Sequence, residues 1–452
     1  MATFKTTRHK LVLILLLGAS LLGISQGAMA EKLTLADSIK FALENNPSVR
    51  IAEENVHRAR ATIHEATAIG MPKLTLEGIY QRLDEIASVT FGERTVELGT
   101  LDSRTADLTL LQPVDVFGAV KTARRAARSI KSGSEYDLGA ATNNITLEVK
   151  QAYLNVLREQ KKLVVYEGAI LILEAHLKDA QAHFNAGTIA RFDVLRAETE
   201  LANARPALIT ARNSVELAKS AFNNVLNRDL DAPVDLEEPD SPKFVETELA
   251  ACVDSACRQR PEVLRADTQV DVSDMVAKGA ELAGKPRFNL RWAYNRNFDA
   301  TVFNPRASSW QAFFTASISI FDGGATRASV DKAESDAQNA RSAREQVVQG
   351  VTLDAKQAYL SLNESRERIA AAEKGLEQAR ESVRLAQVRY KGGVSTQLEV
   401  LDAQAALTIA ETNHVNAYYD YQVALARLER AVGGSAQFAR LTGGPRVAQV
   451  GQ

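Results

Sequence analysis

Four histidines form two pairs, His57 with His64 and His176 with His183, each seven residues apart. Helical spacing would set each pair on one face. No cysteine or converging carboxylate accompanies either at ligand spacing, so they read as solvated helix residues and no metal site is expected. Gly323-Gly324 falls between a strand-like and a helix-like stretch without the residues of a phosphate loop, and reads as a tight turn. Cys252 and Cys257 are the two cysteines. On a regular helix a spacing of five points their side chains apart; a bend in an oxidising compartment would let them pair. With no nucleophile and base in view, neither an enzyme nor a cofactor is expected.

The acids Glu399 and Asp402 carry more information. They lie three apart, hence on one helix face, just after Gly392-Gly393. Acids in a first turn complement the positive end of a helix dipole, and Asp193 holds the position of Glu399 in an earlier copy of the same pattern. Only a closed ring of such helices would make them a charged constriction.

The elements that position these acids are long. Apolar residues recur at Ala141, Ile145, Val149, Ala152, Val156, Leu163, Tyr166, Ile170, Leu173, Leu177, Ala180 and Phe184 in steps of three and four, with Glu159 the polar interruption. No proline occurs between Pro113 and Pro206. A helix from Gly118 to Ala186 at ~1.5 Å per residue would be on the order of 100 Å long. Ile145 to Leu154 repeats 206 positions later as Val351 to Leu360, with seven of ten residues identical. The turns Ala186-Gly187 and Gly392-Gly393 keep that offset, so the chain reads as a tandem duplication of a helical hairpin. The expected organisation is a signal peptide over 1–30, a first repeat over 31–232, a proline-bearing linker over 233–247, a second repeat over 248–432 and a tail over 433–452 with no assigned structure.

Residues 1–30 carry Lys5, Arg8 and Lys10, an apolar run and Ala28-Met29-Ala30, the pattern of a cleaved export signal. No cysteine follows the run, so a lipid anchor is not expected. Cleavage takes the formal charge from −2 to −5, because it removes three cations and no acid, which argues against nucleic-acid binding. No later apolar run is long enough for a transmembrane helix.

Each repeat opens with a broken helix. In the first, Thr34 or Asp37 caps the start, Asn45-Asn46-Pro47 is a bend and Gly70-Met71-Pro72 a stop; Arg260-Pro261 to Gly284-Lys285-Pro286 is the counterpart. The period then changes to two. Phe288, Leu290, Trp292 and Tyr294 alternate with Asn289, Arg291 and Asn295, and Trp310 to Ile320 continue the pattern; Leu74, Leu76 and Tyr80, then Ala106, Leu108 and Leu110, do the same in the first repeat. Four strands of about 10 residues match the length that crosses a tilted bilayer. Four strands cannot close a barrel, and lipid tolerates no open edge, so a spanning sheet needs several chains. The rival reading packs the sheet on the chain's own helices as a soluble periplasmic coiled-coil scaffold. Polar loops are expected over 82–104 and 297–309.

The whole layout resembles the TolC-type outer-membrane efflux proteins. The resemblance rests on Leu33-Thr34-Leu35-Ala36-Asp37-Ser38, Asn45-Asn46-Pro47, Arg260-Pro261-Glu262, Ile320-Phe321-Asp322-Gly323-Gly324, and Tyr390-Lys391-Gly392-Gly393 followed by Glu399-Val400-Leu401-Asp402-Ala403. It implies a mainly α fold with a β part, in which three chains pool strands into one outer-membrane barrel continued by a helical tunnel. It further implies an exit duct with Glu399 and Asp402 at the periplasmic constriction, a tip latch between Tyr390 and Asp193, and a periplasmic adaptor docking near Gly187, Gly392 and Gly393. An inner-membrane transporter of RND or ABC type would drive it. Some members carry a basic residue after the second turn, where this chain has Ser395.

Overall fold

The computed structural model describes residues 32–239, 244–299 and 307–442. The expected signal peptide lies outside the described residues. So do the end of the tail and parts of the linker and of the second loop.

Thr34 starts the described helices: its hydroxyl accepts the Asp37 N–H (3.1 Å) at the head of α1 (Leu35–Asn45). Asn46 both ends α1 and caps α2 (Pro47–Ala68), accepting the Ser48 N–H at 2.8 Å, while Pro47 supplies the preset φ of a first helical position. Strand β1 (Lys73–Arg82) follows, then a small hairpin β2 (Ser88–Phe91) and β3 (Arg94–Glu97), then β4 (Asp102–Val114). Helices α3 (Ala119–Asn185) and α4 (Arg191–Val225) complete the first half. Apart from the small hairpin, the second half presents the same succession: α5 (Leu249–Gln259), α6 (Pro261–Ala283), β5 (Arg287–Asn297), β6 (Ser308–Ser317), α7 (Ala325–Lys391) and α8 (Gln397–Ala431), closed by α9 (Ser435–Thr442). Corresponding helices match in length, 67 residues for both α3 and α7 and 35 for both α4 and α8.

Three expectations are corrected. The 82–104 segment, expected to be a polar loop, holds the β2–β3 hairpin, turned at Gly92 with φ +67°, a sign that primed two-residue turns require. The alternation expected to run to Ile320 pairs only as far as Ser317. The tail, given no structure, contains α9, whose own Phe438 and Leu441 pack against a buried cluster that includes Leu428 and Val432.

Neighbouring helices form a row whose membership changes along its length. On the strand side the order is α2, α3, α6, α7; on the hairpin side it is α4, α3, α8, α7. Thus α3 and α7 run the full length while shorter helices alternate between them. The buried core is concentrated midway along both: Val149, Tyr153, Val156, Phe222 and Leu226 on one side, Leu362, Tyr421, Leu428 and Val432 on the other. Full burial of a side chain such as Phe222 contributes about 1.5–3 kcal/mol. Towards the tips only thin seams remain.

The four long strands pair antiparallel in the order β1-β4-β5-β6, leaving β1 and β6 as edges. Register aligns Leu74, Leu110, Trp292 and Ala312 in one rung, and Leu76, Leu108, Tyr294 and Trp310 in the next. This apolar face is uncovered, with Leu76 at 73% and Trp310 at 70% exposure. The other face carries Glu77, Asp107, Asn295 and Ser309 in one rung, where Asn295 Nδ2 donates to Asp107 Oδ1 at 2.7 Å. No helix among the described residues is long and apolar enough to cross a membrane.

Glu159, the interruption in the α3 stripe, is buried and paired with Arg158 and Lys162. A larger ionic group stands at the break between α5 and α6. Arg260, only 4% exposed, donates twice to Glu262 and once to Asp354 (2.5 Å), and Arg430 reaches the same two acids. Burial would raise the Glu262 carboxyl, but hydrogen bonds and charge from Arg260, with help from Arg430, hold it below its ordinary value. A depressed carboxylate stabilises the fold above its unfolded pKa, and that stabilisation is lost as pH falls through the folded value. Glu262→Gln is therefore expected to flatten the acid limb of a stability-versus-pH curve below about pH 4.3; an unchanged limb in urea titrations would contradict it.

Candidate functional site

Both hairpin tips are built the same way. Asn185 ends α3, and Gly187, at φ +75°, lets the Thr188 N–H bond back to the His183 carbonyl at 2.9 Å. At the other tip Gly392 remains right-handed, Gly393 takes φ +73°, and the Val394 N–H reaches the Arg389 carbonyl at 3.0 Å. Large apolar residues are left exposed beside these turns, among them Phe192 at 67% and Val394 at 70%.

Glu399 and Asp402 lie together on the exposed face of the first turns of α8, while Val400 and Ala403 face a small seam with Val383 and Ala386. Tyr390 packs on that seam. Ser395 donates its hydroxyl to Glu399 Oε2 at 2.7 Å. Arg389 Nη2 approaches the same oxygen at 3.8 Å, a solvated pair worth about 0–1 kcal/mol. Glu399 is thus held in place with its side chain about half exposed.

Asp193 sits on the other hairpin, where its Oδ2 accepts the Ala190 N–H at 3.3 Å as part of a helix cap. Among the described residues of one chain, no hydrogen bond joins it to Tyr390. The structure therefore brings Glu399, Asp402 and Tyr390 to one tip and leaves Asp193 at a second. His57, His64 and His183 are exposed, and burial lowers the pKa of the half-buried His176; no group of potential metal ligands converges among the described residues. Cys252 and Cys257 lie on the regular helix α5 and are free, so the bend that would pair them is not present.

Sequence reasoning missed the Ser395 and Arg389 contacts to Glu399 and the convergence around Arg260. The first was readable, since Ser395 stands just before the start of α8 and only four residues from Glu399. The second joins residues 94 and 168 positions apart and has no local signature.

The sequence profile of the outer membrane efflux protein family matches residues 39–228 and 252–434. Outer membrane protein OprJ of Pseudomonas aeruginosa is 26% identical over 400 residues, covering 88% of this chain and 83% of OprJ. The alkaline protease secretion protein AprF of the same organism is 24% identical, covering 91% of this chain and 86% of AprF. Among solved structures, that of CusC superposes with a TM-score of 0.78 at 21% identity, over 89% of this chain and 92% of CusC. With the profile spanning both halves of a fold built from paired helical hairpins and strand pairs, the chain belongs to the outer membrane efflux protein family.

Proposed function

We propose that this protein is the outer-membrane exit duct of an efflux or secretion system. The observation that carries the reading is the uncovered apolar face of a four-stranded sheet with both edges unpaired, set on helices about 100 Å long. One chain cannot satisfy those edges in lipid. Three copies joined edge to edge give twelve strands and a closed barrel with the apolar rungs outward, and the helix rows continue it as a tunnel across the periplasm. The matched helix lengths of the two halves support their origin by duplication. The scaffold alternative would cover the apolar strand face with the chain's own helices, and that face is bare.

The duct is passive, and direction comes from an inner-membrane transporter of RND or ABC type through a periplasmic adaptor seated on the exposed tips around Gly187, Gly392 and Gly393. In the trimer Glu399 and Asp402 form acidic rings at the periplasmic entrance. Tyr390 of one hairpin contacts Asp193 of a neighbouring one, and opening separates the tips. CusC is named for cation efflux and AprF for protease secretion, so members of one fold serve unlike cargo. Cargo choice therefore belongs to the transporter.

Single-channel recording tests the gate. Glu399→Ala combined with Asp402→Ala is expected to raise closed-state conductance and abolish block by divalent cations; unchanged conductance and block would exclude the rings. Membrane extraction tests the barrel: detergent, and neither salt nor osmotic shock, is expected to release the protein.

A further inference from the structure

A cavity of about 430 Å³ lies where β4 hands over to α3 and α6 hands over to β5. Its walls include Val114, Val116, Phe117, Val120, Leu282 and Phe288. The volume falls within the ~300–1,000 Å³ of small-molecule sites. At the rim stand Asp115 and Arg287. Asp115 is already engaged, its Oδ2 accepting the Lys121 N–H at 3.1 Å. Arg287 is exposed and forms no ion pair among the described residues, and Lys285 is exposed two residues away.

The cavity is continuous with the apolar strand face. Phe117 lies 6.4 Å from Phe288, ring to ring, and Phe288 lies 5.9 Å from Phe314, an exposed residue of β6. It also sits in the middle of the sheet, at the β4–β5 pair, whereas the edges left for additional copies in the proposed trimer are β1 and β6. A neighbouring copy therefore does not reach it. An apolar recess opening beside an apolar strand face, with an exposed cation at its rim, matches a molecule with a hydrocarbon body and an anionic head.

We propose that this pocket holds an acyl chain of a glycerophospholipid from the periplasmic leaflet, with the lipid phosphate drawn to Arg287. The proposal rests on the membrane reading of the strands. The bound chain would seal the junction between barrel and tunnel at the level where the sheet ends and the helices begin.

Gly279 offers the test. It lines the cavity, and a Cβ added there meets nothing within 4 Å, so leucine is the variant chosen to fill the space, and it also improves the helix. The full-length protein and its variants are incorporated into vesicles of phosphatidylcholine and phosphatidylglycerol, floated, re-extracted in mild detergent and weighed by native mass spectrometry. The native protein is expected to retain about one phospholipid per chain, a usual stoichiometry for one such pocket, and Gly279→Leu to lose it. Arg287→Gln is expected to keep lipid but lose about fivefold in preference for phosphatidylglycerol, the worth of one cation near an anionic surface. Equal retention by the native protein and Gly279→Leu overturns the pocket alone. Failure of the native protein to float with the vesicles overturns the membrane reading and the pocket with it.

Discussion

Arg260→Ala is expected to destabilise the folded chain by about 3 kcal/mol, the lower part of the range for breaking a buried ion pair. The guanidinium is 5% exposed and makes three hydrogen bonds to two acids, so its loss leaves Glu262 and Asp354 facing each other in a partly dry site. Arg430 still reaches both acids at 3.3 and 2.9 Å, which keeps the cost from the top of the range. Arg260→Lys should recover only part, because a point charge cannot make the paired contacts that a planar fork makes with Glu262. Adding Glu262→Gln to Arg260→Ala should cost less than the sum of the single changes, since the charge left unpaired is then removed. Urea midpoints of the native protein and the four variants check this, and an unchanged midpoint for Arg260→Ala would mean that the cluster is structurally idle.

Trp292→Arg is expected to abolish assembly in the membrane. Trp292 occupies the middle of β5, stacks on Tyr294 at 6.4 Å between ring centres, and stands on the apolar face with Leu110 and Ala312 beside it. An arginine on a lipid-facing barrel position near the bilayer centre costs about 2–4 kcal/mol, and a trimer would bear the cost three times. Asn295→Arg is the control. It lies on the opposite face of the same strand, bonded to Asp107, where a cation gains an acidic partner. Outer-membrane fractionation and single-channel recording should find Asn295→Arg inserted and conducting and Trp292→Arg absent from the membrane. Normal conductance from Trp292→Arg would show that this face does not meet lipid.

Much of this fold was legible because its regularities are local. Steps of three and four from Ala141 to Phe184 required a helix with one packed side, and helix α3 ends within a residue of the glycine-marked limits. Alternation through Phe288, Leu290, Trp292 and Tyr294 likewise placed β5 on the right face. The hairpin at Ser88–Glu97 was hidden because its strands are four residues long and largely polar, so composition outweighed pattern. Helix α9 was hidden because it follows two glycines, and what orders it is contact with distant helices. At the candidate site, the shared face of Glu399 and Asp402 followed from a spacing of three. The place of Asp193 did not, because two hairpins in one chain do not say how they meet the hairpins of another.

The concentration of the core midway along α3 and α7 has a mechanical consequence. Each hairpin is a beam clamped at its root and nearly unsupported beyond it, so a modest sideways load at the free end produces a large displacement there and almost none at the clamp. Local opening free energies should therefore fall steadily from root to end. In the proposed duct, a protein docked at the free ends would splay them like the jaws of tweezers without straining the strands at the far end.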